Sequence, residues 1–227
     1  MSMTGQLGRA VLAEAVGTFT LIFIGAGSII ADQMGGGRLG LVGIALAHGL
    51  AIATMVSAAG HVSGGHFNPA VTAGFVLVRR LPLGQGVVYG IAQLLGGSVG
   101  AFLLTASFPE AARGAVHLGT PALASAVPPG TGIVVEAILT FLLVFVIFGT
   151  AVDTRGPRTI AGLMIGLVIA MDILAGGVLT GAAMNPARAF GPALVSGFWQ
   201  NQIVYWIGPL LGGAGAAFLY EATLIRP

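Results

Sequence analysis

Long apolar stretches, bounded by charges at their ends, set the pattern of this chain. No Asp, Glu, Lys or Arg occurs in residues 15–31, 39–78, 81–109, 114–135, 137–152 or 189–220. A helix needs about 20 apolar residues to cross the ~30 Å hydrocarbon core of a bilayer. The pattern therefore predicts full spans near 7–31, 39–59, 84–107, 131–152, 159–177 and 200–222. Turn-forming residues mark their ends: Gly35-Gly36-Gly37, Pro109, Pro128-Pro129 and Gly156-Pro157. Two further apolar stretches, 69–78 and 186–195, are too short to span. Each begins at a proline, which suits the first turn of a helix because its missing N–H would be unpaired there anyway. Ten helical residues reach only ~15 Å, half the hydrocarbon thickness, so two such pieces meeting end to end would make one more span. The Gly-rich segments leading into them, 60–68 and 177–185, are expected to be irregular backbone throughout.

The order of these elements repeats. Glu14-Ala15-x-x-Thr18-Phe19 recurs as Glu136-Ala137-x-x-Thr140-Phe141. Gly60-x-x-Ser63-Gly64-x-x-x-Asn68-Pro69-Ala70 recurs as Gly177-x-x-Thr180-Gly181-x-x-x-Asn185-Pro186-Ala187. Tyr89-x-Ile91-x-x-Leu94-Leu95-Gly96-Gly97 recurs as Tyr205-x-Ile207-x-x-Leu210-Leu211-Gly212-Gly213. The residue numbers give offsets of 122, 117 and 116, in preserved order. Three spans per copy is an odd number, so the second copy enters the membrane upside down, and the functional site belongs at the midplane where the broken helices meet. The expected organisation is a single channel domain, 1–227, with inverted repeats of approximately 1–110 and 130–227 joined by an outer loop, 108–129.

Composition narrows the class. Hydrophobic residues make up 56% of the 227 and charged residues 7%, against about 25% charged in a soluble domain, so the surface is built to face lipid. The net charge of +2 gives no reason to expect nucleic acid, and the absence of cysteine removes disulfides and thiolate chemistry. The 38 glycines follow no Gly-X-Y period and imply close helix–helix contact. With the N-terminus inside, Arg9, Arg79, Arg80, Arg155, Arg158 and Arg226 lie on the cytoplasmic side and only Arg38 and Arg113 outside, as the positive-inside bias requires. Both termini are expected in the cytoplasm, with the cell (inner) membrane as the address.

The chemistry concentrates at the two Asn-Pro-Ala turns. Irregular backbone survives at membrane depth only inside protein or along a wet cavity. The Gly-rich approaches should thus line such a cavity with carbonyl acceptors, and Asn68 and Asn185 add NH₂ donors. Each short helix points an N-terminal end, worth about half a positive charge, at the membrane centre. Two such ends make a positive barrier midway through a pore. Asn-Pro alone is an ordinary helix start; two copies at matching points of an inverted repeat are not. Arg188, deep in an apolar segment, should face water and find carbonyl partners, since burying it in lipid costs about 2.5–3.5 kcal/mol or more.

At these residues the sequence resembles the aquaporin, or major intrinsic protein, family, carried by Ser63-Gly64-Gly65-His66-Phe67-Asn68-Pro69-Ala70-Val71 and Asn185-Pro186-Ala187-Arg188. The resemblance covers essentially the whole chain. It implies an all-α membrane protein, six transmembrane helices plus two re-entrant half-helices in an inverted repeat, forming a passive water channel that excludes protons and ions. It further implies a homotetramer in a lipid bilayer, with no cofactor and no metal. The outer selectivity filter falls by alignment on His48, Ile173, Ala182 and Arg188, which looks like the plant tonoplast subgroup. His48 is expected to add a donor to the pore and Ile173 to remove one, so ammonia or another small neutral solute is expected to pass beside water. Ala189 stands where glycerol-conducting relatives carry Asp, which argues against the alternative of a glycerol or urea facilitator. The resemblance also implies that Glu14 and Glu136 brace the re-entrant loops by accepting from backbone N–H groups, with His66 stabilising the first loop. A proton-coupled secondary transporter, which also uses inverted repeats and broken helices, is the rival for the two acids. Catalysis finds no nucleophile–base pair, and His61 and His66, five apart, are not a metal motif. Asp172 is expected at a vestibule or a subunit contact, and His117 in the outer loop as a merely solvated side chain.

Overall fold

The computed structural model describes residues 3–225; Arg226, assigned above to the cytoplasmic side, lies outside the described residues. Helix α1 (Met3–Thr20) runs through a π-helical stretch, Leu21–Ala26, into α2 (Gly27–Met34), forming one long span. The next long helices are α3 (Gly40–Ser63), α5 (Leu83–Ser107), α7 (Pro129–Ile147), α8 (Ala161–Thr180) and α10 (Val204–Leu219). The two half-helices are α4 (Pro69–Leu77) and α9 (Pro186–Ser196), and α6 (Glu110–Ala115) sits in the connection 108–129. Among the described residues the chain is all-helical. Five stretches are long and apolar enough to cross a membrane. The sixth, α10 with its π-helical continuation Tyr220–Ile225, is diluted by Pro209 and four glycines but has the length to do so.

Two boundaries differ from the sequence reading. Residues 60–63 and 177–180 are helical, not irregular, because α3 and α8 carry on to Ser63 and Thr180. Only then do Gly64 and Gly181, both left-handed, turn the chain out of the helix, a conformation open to glycine at no steric cost. The connection 108–129 is also less open than a solvated loop. After α6 it dips inward at Leu118 and Gly119, both buried.

Packing follows the repeat. In each half the first and last long helices pack together, α1 on α5 and α7 on α10. Each half-helix then leans on the last helix of the other half, α4 on α10 and α9 on α5, while α3 crosses α8. The α3–α8 crossing is reciprocal: a Cβ on Gly49 would meet the Gly166 carbonyl oxygen at 2.5 Å, and one on Gly166 would meet that of Gly49 at 2.3 Å. Gly96 and Gly212 are equally matched, with the carbonyl oxygens of Ala15 and Ala137 at 2.1 and 2.0 Å from such a Cβ. Within lipid there is little hydrophobic drive between helices, so this backbone approach is what van der Waals packing works with. Gly212→Ala therefore pushes α10 away from a backbone atom that no rotamer change can move. Overpacking costs about 1–3 kcal/mol and occasionally more, so the variant is expected to lose monodisperse protein at a clearly lower temperature in detergent. An unchanged melting profile would refute the close approach.

The helix ends near Arg80, Arg155 and Glu221 are tied by charge. Arg80, after α4, donates from Nε to Oε2 of Glu221 at 2.6 Å. Arg155 donates to both carboxylate oxygens of Asp153, at 2.9 and 2.6 Å, and also to the carbonyl of Leu224. The Arg155 guanidinium holds the Asp153 carboxyl below the usual carboxylate range, so this clamp stays ionised at neutral pH.

Candidate functional site: a pore between two helix ends

The two Asn-Pro-Ala turns are N-caps first. Asn68 and Asn185 have extended backbone, φ −157° and −153°, and proline takes the first helical position after each. The Asn68 Oδ1 accepts from the N–H of Ala70 at 2.8 Å, and the Asn185 Oδ1 accepts from Ala187 at 2.9 Å and Arg188 at 3.2 Å. Asparagine is among the best N-cap residues for this reason. The other end of each amide reaches across the molecule. Asn68 Nδ2 donates to the carbonyl of Met184 at 2.8 Å, and Asn185 Nδ2 donates to that of Phe67 at 2.9 Å. The helix-start reading and the pore reading thus apply to different atoms of one side chain. Each NH₂ group has two hydrogens, so one remains for a permeant. Ala70 and Ala187 are fully buried, with Gly213 and Gly97 packed on their carbonyls.

Two buried acids hold the extended segments that lead into these turns. Glu14 Oε1 accepts from Ser63 Oγ at 2.6 Å and His66 N at 3.0 Å, and its Oε2 from Phe67 N at 2.6 Å and Gln93 Nε2 at 2.7 Å. Glu136 Oε1 accepts from Thr180 Oγ1 at 2.6 Å and Ala183 N at 2.9 Å, and its Oε2 from Met184 N at 2.7 Å. Tyr89 and Tyr205 then donate to the carbonyls of Ser63 and Thr180 at 2.9 and 2.8 Å. Phe67, Ala182 and Met184 take positive φ of 49°, 44° and 52°, conformations that cost on the order of 1–3 kcal/mol and persist only when the surroundings over-determine them. The carboxylates supply that constraint. Among the described residues no protein donor reaches the carbonyls of Gly65, His66, Ala182 or Ala183, and all four residues line one cavity.

That cavity also collects His48, Ile173, Ala182 and Arg188 with His66, Asn68 and Asn185. About 30 Å³ of it is open to the centres of water-sized spheres, so the passage is narrow. Glu14 and Glu136 stand behind the loops, fully buried. Arg188 is 2% exposed, and its Nη1 donates to the Gly119 carbonyl at 2.9 Å. His66 Nδ1 lies 3.1 Å from Thr72 Oγ1, with its ring packed between Phe75 and Tyr89.

Several placements depart from the sequence reading. Asp172 is neither at a vestibule nor on an outer face. It is 1% exposed, on the face of α8 turned into the subunit, and its Oδ2 has no hydrogen-bond partner among the described residues. His117 is exposed but not merely solvated: its ring stacks on Phe198 at 4.0 Å between centroids, which helps hold the connection 108–129 near Arg188, whose Nη1 donates to Gly119. The Gly119 carbonyl was not legible as a site residue, because nothing in an Ala/Gly/Pro-rich loop marks one carbonyl over another. Gln93 was missed because the matching position in the second half, 116 residues on, is Pro209. Ser63 and Thr180 were signalled, as the only hydroxyls at equivalent points of the repeated approach.

Comparison with known proteins settles the lineage. Residues 1–220 match the major intrinsic protein family. The chain belongs to that family. Aquaporin TIP4-4 of Zea mays is 46% identical over 225 residues, covering 96% of this chain and 87% of its own length. Probable aquaporin TIP1-1 of Oryza sativa subsp. japonica is 43% identical over 224 residues, covering 96% and 87%. Among solved structures, the aquaglyceroporin from Plasmodium falciparum superposes with a TM-score of 0.83 over 97% of this chain and 98% of that one. At 24% identity that likeness speaks for the fold. This member of the family is an integral, multi-pass membrane protein.

Proposed function

We propose that this major intrinsic protein is a passive water channel, with protons and ions excluded at the crossed asparagines. The observation that carries the reading is the pair of bonds from Asn68 Nδ2 to Met184 and from Asn185 Nδ2 to Phe67. They hold two helix N-termini toward each other at a narrow cavity that both asparagines line. A water there accepts from the free amide hydrogens, and the positive helix ends oppose any cation. The likeness to aquaporins of Zea mays and Oryza sativa supports the same permeant.

The residues proposed for the work are those of the turns (Asn68, Pro69, Ala70, Asn185, Pro186, Ala187), the filter (His48, Ile173, Ala182, Arg188) and the loop braces (Glu14, Glu136, His66). The domain proposed is the whole chain, as inverted repeats of approximately 1–110 and 130–227, a reading supported by the reciprocal glycine contacts. A homotetramer is proposed because that assembly is typical of the family. The orientation proposed, with both termini cytoplasmic, rests on the arginines; relatives named TIP lend no support to a cell (inner) membrane address. The narrow cavity and Ala189 stand against glycerol as the main permeant. Ile173 leaves one filter wall apolar, which favours ammonia as a second permeant.

Stopped-flow shrinkage of proteoliposomes tests this. The expected result is fast, low-activation-energy water flux without an ion gradient, and ammonia entry above that of empty liposomes. Water flux no faster than in empty liposomes would overturn the channel reading, and flux requiring a proton gradient would favour a transporter.

A further inference from the structure

The pore is nearly symmetric, and the two halves differ in where a π-helical stretch begins in their first helix. Leu21 and Leu143, 122 residues apart, both line it, as do Ile52 and Ile169, 117 apart. The same offset pairs His48 with Ile165 and Arg188 with Val71, so the polar filter on one side corresponds to two aliphatic residues on the other. The first span is π-helical over Leu21–Ala26; in the second half the π-helical stretch begins only at Phe148 and runs to Val152, so residues 143–147, which match 21–25, are α-helical. A π-bulge widens a helix locally, and such bulges occur frequently at functional sites.

Gly25 lies in this bulge under the ring of His48. A Cβ on Gly25 would come within 2.5 Å of His48 Cδ2 and 2.6 Å of Nε2, well inside the ~3.5–4.0 Å of a comfortable carbon contact. The matching residue, 122 further on, is Ile147, facing Ile165 across the same cavity. The far edge of the ring is fixed as well, with Nδ1 2.9 Å from the Ile44 carbonyl oxygen. A carbonyl only accepts, so Nδ1 carries the hydrogen, and in the neutral ring Nε2 is then an acceptor. No protein donor reaches Nε2 among the described residues, nor is it one of the sealed, unpaired polar atoms, so it opens on the pore. The expectation that His48 adds a donor is thereby reversed.

We infer that Gly25 and the π-helical bulge seat His48 so that its Nε2 lone pair faces the pore. With the Arg188 N–H groups it makes a donor–acceptor pair, selecting small neutral permeants that both accept and donate a hydrogen bond. This rests on the channel reading above and adds a positioning residue to it. The predicted signature is non-additivity. The three atoms nearest to a new methyl at Gly25 all belong to this ring, so Gly25→Ala should displace it into the water path.

The experiment measures osmotic water and ammonia permeability per assembled channel in proteoliposomes for the parent, Gly25→Ala, His48→Ala, the double variant and His48→Phe. Gly25→Ala is expected to lower water flux about fivefold or more, while the double variant returns to within about twofold of His48→Ala alone. His48→Phe keeps a ring but no acceptor and should lower ammonia flux more than water flux. Multiplicative losses in the double variant, or no recovery of its flux or assembly, would overturn the seat. An unchanged ammonia-to-water ratio in His48→Phe would overturn the acceptor. A parent that conducts no water would instead overturn the channel reading itself.

Discussion

Arg188→Val is expected to leave a conducting channel that admits urea and glycerol and leaks monovalent cations. The guanidinium is buried in the cavity wall, 2% exposed, and supplies both bulk and a unit charge where the passage is narrow. At about 5 Å and an effective dielectric of about 20, that charge opposes a passing cation by roughly 3 kcal/mol, a few hundredfold in rate. The folding cost should be small, because the variant also removes a buried Nε that has no partner. What is lost is the bond to Gly119, so the connection 108–129 should loosen as the pore widens. The helix ends at Asn68 and Asn185 still face the permeant, so cation flux should rise by less than the filter charge alone would give. Light-scattering uptake of urea and glycerol, with a potassium-flux assay on the same vesicles, checks this. Unchanged permeability to all three would remove Arg188 from the filter.

The frame of this fold is written in the sequence with unusual redundancy. Spans are legible because lipid forbids charge over 20 residues, and the two half-helices because Asn-Pro starts a helix that is too short to cross. The inverted repeat then places Asn68 against Asn185 without any coordinates, since an odd number of spans separates them. Less legible are features carried by backbone. The Gly119 carbonyl that holds Arg188, the π-helical stretch under His48 and the tautomer set by the Ile44 carbonyl depend on where main chain passes, and no side-chain pattern encodes them. The Gly-rich approaches illustrate the same limit. Composition marks 60–68 and 177–185 as breakers, yet helices continue to Ser63 and Thr180, because a glycine with a bonded backbone in a packed bundle stays helical until a left-handed residue ends it. Asp172 was misplaced for the opposite reason. A lone carboxylate in an apolar run reads as a boundary group, and only its burial in the packed bundle shows it facing inward.

Removing either brace should do more damage than any change at the filter. Glu14 receives four hydrogen bonds and Glu136 three, including two backbone N–H groups each. In Glu14→Leu and Glu136→Leu those donors are left buried, at about 1–3 kcal/mol apiece. The positive-φ residues Phe67, Ala182 and Met184 also lose the constraint that pins them. Losses of that size take a large part of the roughly 5–15 kcal/mol that holds a protein folded. Both variants are expected to yield little monodisperse protein. Glu→Gln should fall between, since one oxygen still accepts while the new NH₂ points a donor at donors. The pair of Gln variants also separates bracing from proton relay. If the acids brace, the fraction that assembles should conduct water at close to the parental rate per channel, with no change in its pH profile. Should well-assembled Glu14→Gln or Glu136→Gln lose a proton-coupled flux that the parent possesses, the acids would be relays and the fixed-pore reading would fall.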